Sequence, residues 1–139
     1  MLQINYLRQQ PEEALAGLAK RGLNASQTID DILKLDEQRR QAQTELDSTL
    51  AESNSLSKKI GELFKSGQAQ EANNLKAKTT ELKDKSKELQ QEMEQKMHAL
   101  QNLLVTLPNV PHHLVKKGLT ADDNEEVKRV GDLPQLAEG

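Results

Sequence analysis

The chain contains no cysteine and no tryptophan, and its only aromatic side chains are Tyr6 and Phe64. Without cysteine it cannot form disulfides or thiolate zinc sites, so we expect a cytoplasmic protein. An aromatic content of 1% and a mean hydropathy of −0.78 argue against a large compact core. No stretch approaches the roughly eighteen consecutive apolar residues that a membrane span needs, so we expect a soluble chain.

Motifs for catalysis are missing as well. The histidines are His98, His112 and His113, and the last two follow a proline without cysteine or carboxylate partners at a metal-binding spacing. There is no glycine-rich phosphate loop, nucleophile elbow or HExxH motif. We therefore expect no catalytic residue, metal site or cofactor site in this chain.

Two long stretches, 32–63 and 72–107, carry seam residues at alternating steps of three and four, the spacing of a coiled coil. The chain between them contains Ser66 and Gly67. We predict an all-α fold: a long antiparallel two-helix coiled-coil hairpin with arms roughly 55 Å long. The first series is Ile32, Leu35, Arg39, Ala42, Leu46, Thr49, Ser53, Leu56, Ile60 and Leu63. The second series is Ala72, Leu75, Thr79, Leu82, Ser86, Leu89, Met93, Lys96, Leu100, Leu103 and Leu107.

A single register aligns the two series. It places polar Thr49 opposite Ser86, where each hydroxyl can bond its partner or a backbone carbonyl of its own helix. It also places Arg39 beside Lys96, a like-charge layer that is tolerated only if the charges turn outward. The apolar pairs that it predicts are Leu63 with Ala72, Ile60 with Leu75, Leu46 with Leu89, Leu35 with Leu100 and Ile32 with Leu103.

Shorter segments flank the hairpin. Pro11, followed by two glutamates, predicts a short helix that ends near Gly22, and its apolar face forms a small cap over the hairpin root. Thr28 and Asp31 resemble a capping box at the start of the first long helix. We place the cap at 1–27, the hairpin at about 28–107 and its tip near 65–69. Together, 1–110 form one domain, followed by an extended linker at 111–139.

The net charge of −3 conceals an uneven distribution along the hairpin. Between residues 58 and 87 the basic side chains outnumber the acidic ones two to one, whereas the root is acidic. This pattern suits binding of a polyanion at the far end, but the same lysines are equally compatible with a merely solvated coiled-coil surface. The basic residues of this span are Lys58, Lys59, Lys65, Lys76, Lys78, Lys83, Lys85 and Lys87, against Glu62, Glu71, Glu81 and Asp84.

Several segments together resemble the N-terminal arm of bacterial-type seryl-tRNA synthetases. They are MLQINYLRQQPEEALAGLAKRG, LDEQRRQAQTELDSTLAESNSLSKKIG, LPNVPHHLV and ADDNEEVKRVG, and they extend over almost the whole chain. Three positions depart from the family pattern. Ser53 replaces a usual arginine, Val130 replaces a usual tryptophan, and 115–118 lack a proline.

The resemblance implies that the arm grips tRNA(Ser) by its long variable arm and elbow, through shape and phosphate contacts. Lysines with almost no aromatics favour backbone contacts over base reading, and we expect Phe64 to cover the hairpin end instead of stacking on bases. Both sides of the seam stay open as the RNA-facing side. The candidate tRNA-binding residues are Lys58, Lys59, Lys65, Lys76, Lys78, Lys83, Lys85 and Arg40.

The resemblance also implies a longer parent protein. Its catalytic domain would hold ATP and Mg and provide most of a homodimer interface, making the parent a class II serine-tRNA ligase. The present chain would then be monomeric, would not aminoacylate, and would bind neither DNA nor a membrane.

Two other interpretations are compatible with the residues. In the first, the hairpin is a protein-interaction or chaperone-like arm that binds another helix through Leu50, Met97 and Leu104 beside the seam. In the second, it is a spacer without a ligand. RNA binding should weaken steeply with salt, whereas apolar docking should change little.

Overall fold

The computed structural model describes residues 1–131, and the regular secondary structure of this part is helical with no strand. The short helices α1 (Ile4–Gln9) and α2 (Pro11–Ala19) precede two long ones, α3 (Ser26–Lys65) and α4 (Ala69–Thr106). A 3-10 turn follows at Ala121–Asp123. The long helices pack against each other as an antiparallel pair. The predicted all-α hairpin is therefore confirmed. No helix within residues 1–131 is both long and apolar enough to cross a bilayer.

The seam between α3 and α4 follows the predicted heptads, because every residue of both series is buried or half-buried. Two of its hydroxyl side chains bond within their own helices. Thr49 Oγ1 donates to the Glu45 carbonyl at 2.8 Å, and Ser86 Oγ donates to the Lys83 carbonyl at 2.8 Å. These two hydroxyls thus enter the seam with their donors paired.

The like-charge layer at Arg39 and Lys96 is resolved by neighbouring side chains. Arg39 donates to Asp36 Oδ1 at 3.0 Å. Lys96 Nζ donates across the seam to Gln38 Oε1 at 3.1 Å and lies 3.3 Å from Glu92 Oε1. Each cation therefore has its own polar partner, and the aliphatic stems stay in the layer.

The main hydrophobic cluster lies at the root, where α1 and α2 cover the base of the hairpin. Leu7, Leu18 and Ile32 are completely buried there. Leu104, predicted as an exposed contact for a partner protein, is only 5% exposed because it belongs to this cluster, so that prediction is wrong. The buried members are Leu2, Leu7, Ala14, Leu18, Ala25, Ile29, Ile32, Leu100, Leu104 and Leu107.

A buried carboxylate, which no pattern in the sequence predicts, also lies at the root. Asp36 is 1% exposed. Arg39 bonds its Oδ1, and Arg8 Nε from α1 lies 3.3 Å from its Oδ2, close enough for an ion pair although outside hydrogen-bond geometry. The two guanidinium groups compensate the buried negative charge. This cluster ties α1 to α3.

The long helices join through a tight turn at residues 66–68. Gly67 has a φ of +81°, a left-handed conformation that favours glycine. At the other end, α3 begins at Ser26, two residues before the predicted start. The capping box predicted at Thr28 and Asp31 is wrong, because no side chain caps this helix and Gln27 Nε2 donates to Asp31 Oδ1 at 3.0 Å.

The segment after α4 is extended and runs back to the end of α2. Lys20 Nζ donates to the carbonyls of His113 at 2.8 Å and Val115 at 3.0 Å, and Arg21 donates to the Asn109 carbonyl at 3.0 Å. These bonds fix the first part of the predicted linker to the cap. Residues 132–139 of that linker lie outside the described part of the chain.

Candidate nucleic-acid interface

The seam divides the surface of the hairpin into two edges. Each heptad contributes two residues to the seam. The side chain directly before the first of them lies on one edge, and the side chain directly after the second lies on the other edge. We call the first the paired edge, formed by Glu45, Glu52, Lys59, Glu71, Lys78 and Lys85. We call the second the lysine edge, formed by Leu50, Ser57, Phe64, Lys76, Lys83, Gln90 and Met97.

Two of the three lysines on the paired edge are engaged across the seam, whereas Lys59 is in none of the ion pairs of residues 1–131. Lys78 Nζ lies 2.7 Å from Glu52 Oε1, and Lys85 Nζ lies 2.7 Å from Glu45 Oε1. The hydrogen bond to its glutamate, followed by the Coulomb attraction, raises the pKa of each of these two lysines. Their positive charge is therefore largely compensated locally, although both ammonium groups are exposed to solvent.

The lysine edge carries no such compensation. Among the ion pairs of residues 1–131, none joins Lys76 or Lys83 to a carboxylate. The side chains opposite them across the seam are Phe64 and Ser57, which are uncharged. The two lysines lie two turns apart, roughly 10 Å along α4. This edge therefore presents positive charge to solvent near the tip.

Lys76 has an aromatic neighbour. Its Nζ lies 4.8 Å from the centroid of the Phe64 ring, a cation–π contact between the two helices. Phe64 is 42% exposed, so the prediction that it covers the hairpin end by packing is wrong. The ring instead lies beside the ammonium group of Lys76.

The remaining sequence candidates do not form one site. Lys58 and Lys65 lie on the outer surface of α3, away from the seam. Arg40 lies near the root, roughly 35 Å along α3 from Phe64, and its guanidinium pairs with Glu37 at 3.3 Å. The structure thus distributes the eight predicted residues over both edges, the outer surface and the root.

Apolar side chains are also exposed on the lysine edge. Leu50 is 44% exposed and Met97 is 52% exposed, in agreement with the positions predicted for them beside the seam. Together with Phe64 they give this edge a mixed apolar and positive character. Within residues 1–131 no group of three or more histidine or acidic side chains is placed to hold a metal ion.

The fold and the charged surface define a class: a coiled-coil hairpin domain with excess positive charge near its tip. Comparison with known sequences is more specific. Residues 1–111 match the family described as the seryl-tRNA synthetase N-terminal domain. The chain belongs to this family.

Individual relatives support the same family. A serine–tRNA ligase from Synechococcus sp. (strain JA-3-3Ab) is 42% identical over 142 residues, covering 95% of this chain and 31% of that protein. One from Akkermansia muciniphila is 36% identical, covering 98% of this chain and 32% of that protein. The seryl-tRNA synthetase of Pyrococcus horikoshii, solved with ATP, superposes with a TM-score of 0.79 at 34% identity. That match covers 89% of this chain and 28% of the solved one.

The chain thus spans about a third of the length of the curated relatives that it matches. The matched part includes both the cap and the complete hairpin, since the family match extends over residues 1–111. The predicted family is confirmed, including its similarity to bacterial relatives.

Proposed function

We propose that this chain is the tRNA-binding arm of a serine-tRNA ligase and that it holds tRNA(Ser) by the long variable arm and the elbow. The observation that carries the proposal is the excess of lysine near the tip of an elongated hairpin in a member of this family. A helix of 38 residues is roughly 57 Å long, so the tip reaches far from the root. Lysine side chains such as those near the tip bind phosphate and ribose.

The recognition would depend on RNA shape. Phosphate contacts position a protein on RNA without reading its sequence. An extended variable arm presents two phosphate backbones at a defined angle to the tRNA body, and a stiff hairpin can follow that geometry. The exposed lysines supply the attraction, and the rigid seam supplies the fixed spacing.

The proposal extends to the parent protein. A following catalytic domain would bind ATP and Mg, transfer serine to the tRNA and form most of a homodimer, as in class II synthetases. In this domain organisation, residues 1–110 form the tRNA-binding domain and residues 111–139 lead to the catalytic domain. The chain studied by itself would be monomeric and would not aminoacylate, and the enzyme would work in the cytoplasm.

Binding measurements test this function. Fluorescence anisotropy with tRNA(Ser) and with a version lacking its variable arm should show weaker binding to the shortened RNA. The logarithm of the affinity should also fall linearly with the logarithm of the salt concentration. Equal binding to both RNAs, or no detectable binding in low salt, would refute the proposal.

A second candidate function has one observation in its favour. Exposed Leu50 and Met97 lie on the same edge as the unpaired lysines, so a partner helix could dock there. The double variant L50S/M97S distinguishes the two functions. If RNA is the ligand, this variant should bind tRNA with an affinity within twofold of the wild type. If a protein helix is the ligand, the variant should no longer bind it, and binding of that helix to the wild type should not depend on salt.

A further inference from the structure

The two edges of the hairpin differ in what their lysines can offer to an anion. On the paired edge, Lys78 and Lys85 each already bind a glutamate at 2.7 Å. A phosphate would have to replace that carboxylate and would face the glutamate that is left behind. On the lysine edge, Lys76 and Lys83 have no carboxylate to displace within residues 1–131.

The surroundings of the two edges increase this difference. Side chains one step further out from the seam on the paired edge include Glu62, Glu81 and Glu88, which repel phosphate. The corresponding positions on the lysine edge are Asn54, Gly61, Asn73, Thr80 and Lys87. Lys87 pairs with Asp84 of its own helix at 3.6 Å, and both groups are well exposed. Between residues 50 and 87, the lysine edge and the positions one step further out from it therefore carry three lysines and no acid, and of these lysines only Lys87 pairs with a carboxylate.

We propose that the tRNA backbone lies along the lysine edge, with Lys76 and Lys83 as its phosphate contacts, and that the paired edge faces away from the RNA. This assignment rests on the proposed function and specifies which side of the hairpin performs it. Charge complementarity favours RNA over a protein helix as the occupant, because the nearest unpaired groups are cations spaced roughly 10 Å apart.

Phe64 acts in this arrangement as a positioning residue. Its ring holds the Lys76 ammonium at 4.8 Å and limits the freedom of a long side chain that would otherwise lose more entropy on binding. The ring is 42% exposed and lies at the end of the edge. Replacing it with leucine keeps an apolar side chain and removes the π face.

Matched double substitutions test the assignment in the 139-residue chain. K76Q/K83Q should weaken binding of tRNA(Ser) about tenfold or more in 0.1 M salt and reduce the salt slope by about one for each lost contact. K78Q/K85Q removes the same charge from the paired edge and should change the affinity less than twofold. All four lysines are exposed, so both variants should keep the wild-type helix content, which circular dichroism checks.

A charge exchange provides a second control. The quadruple variant E45K/K85E/E52K/K78E reverses both cross-seam pairs without changing the net charge, and it should bind tRNA(Ser) like the wild type. Loss of affinity in K78Q/K85Q or in the exchange variant, with K76Q/K83Q unaffected, would overturn the edge assignment and leave the proposed function intact. F64L should give a salt slope equal to the wild type with affinity lowered about threefold, and a wild-type affinity would exclude the positioning role of the ring.

Failure of the proposed function gives a different result. In that case wild-type binding is absent or independent of salt, and no lysine variant alters it. A salt-independent complex that L50S/M97S abolishes would instead identify a protein as the occupant of this edge.

Discussion

Arg8 on α1 and Asp36 on α3 meet at 3.3 Å at the root of the hairpin, where the carboxylate is almost completely buried. Arg39 completes the cluster from one turn further along α3. A buried carboxylate is costly unless cations compensate it, so the short helix and the long one must dock together. The cap is thereby fixed to the rod that it supports.

Substitution of Asp36 should destabilise the root. D36A removes the carboxylate that accepts a hydrogen bond from Arg39 and forms an ion pair with Arg8. It should lower the free energy of unfolding by about 2 kcal/mol, because hydrogen bonds to charged groups contribute at this level. The loss is limited because Arg8 and Arg39 remain partly exposed and can be hydrated. Urea unfolding measures the change.

The neighbouring E37A is the matched control. Glu37 is exposed and pairs only with Arg40 at 3.3 Å among the side-chain ion pairs of the described residues. Its removal should change stability by less than about 0.5 kcal/mol. Equal effects of the two substitutions would show that the buried position of Asp36 has no energetic role.

Gly17 and Gly61 should respond in opposite ways to alanine. A Cβ at Gly17 would overlap Val110 Cγ1, so G17A should destabilise the chain by about 2 kcal/mol through overpacking. Nothing lies within 4 Å of a Cβ at Gly61, and G61A should stabilise α3 by about 0.8 kcal/mol. Thermal unfolding followed by circular dichroism measures both.

The double variant G17A/V110A verifies the cause at Gly17. Shortening Val110 removes the atom that would clash, so the added cost of G17A should become much smaller in the V110A background. An unchanged cost would mean that the contact between α2 and the segment after α4 is not responsible.

Hydrogen exchange should show a gradient of stability along the hairpin. The root contains the main hydrophobic cluster, whereas the distal seam includes small or polar Ser53, Ala72 and Thr79. Amides near Ile32 and Leu100 should therefore exchange more slowly than those near the tip. Uniform protection from root to tip would contradict this expectation.

A valine at position 79 should strengthen the distal half. Thr79 is buried and its hydroxyl donates only to the Leu75 carbonyl of its own helix at 3.1 Å. T79V removes a buried polar group at nearly constant volume and should slow distal exchange about fivefold. Thr80 makes the same type of bond at 3.2 Å but is exposed, so T80V should give no gain.

The turn near Asp123 should titrate in acid. Its carboxylate accepts hydrogen bonds first from the Leu119 amide at 2.7 Å and then from the Thr120 amide at 2.9 Å, and these lower the pKa of Asp123 below its ordinary 3.8. The bonds therefore stabilise the turn above that pH, and this contribution is lost as the pH falls through the folded-state pKa. Amide chemical shifts of Leu119 and Thr120 should follow that titration.

The variant D123N is the control for this titration. It keeps a side chain of similar size but has no carboxylate to protonate, so the two amide signals should stay constant over the same acid range. If they move equally in D123N, another group controls the turn.

The sequence by itself determined the seam of this protein and its family. Heptads are local and periodic, so alternating steps of three and four fixed which residues of 32–63 and 72–107 enter the seam, even where these residues are polar. Family segments such as LSKKIG and LPNVP are equally local, and they predict the family to which the chain belongs.

Tertiary structure decided which side chains beyond the seam are covered, paired or free. Leu104 occupies an edge position of its heptad, where a side chain is normally exposed. It is buried because α1 and α2 cover the root of the hairpin. Lys78 and Lys83 both flank the seam in the sequence, but only Lys78 forms an ion pair with a glutamate across it. Such contacts join residues that are far apart in the chain, and no local pattern encodes them.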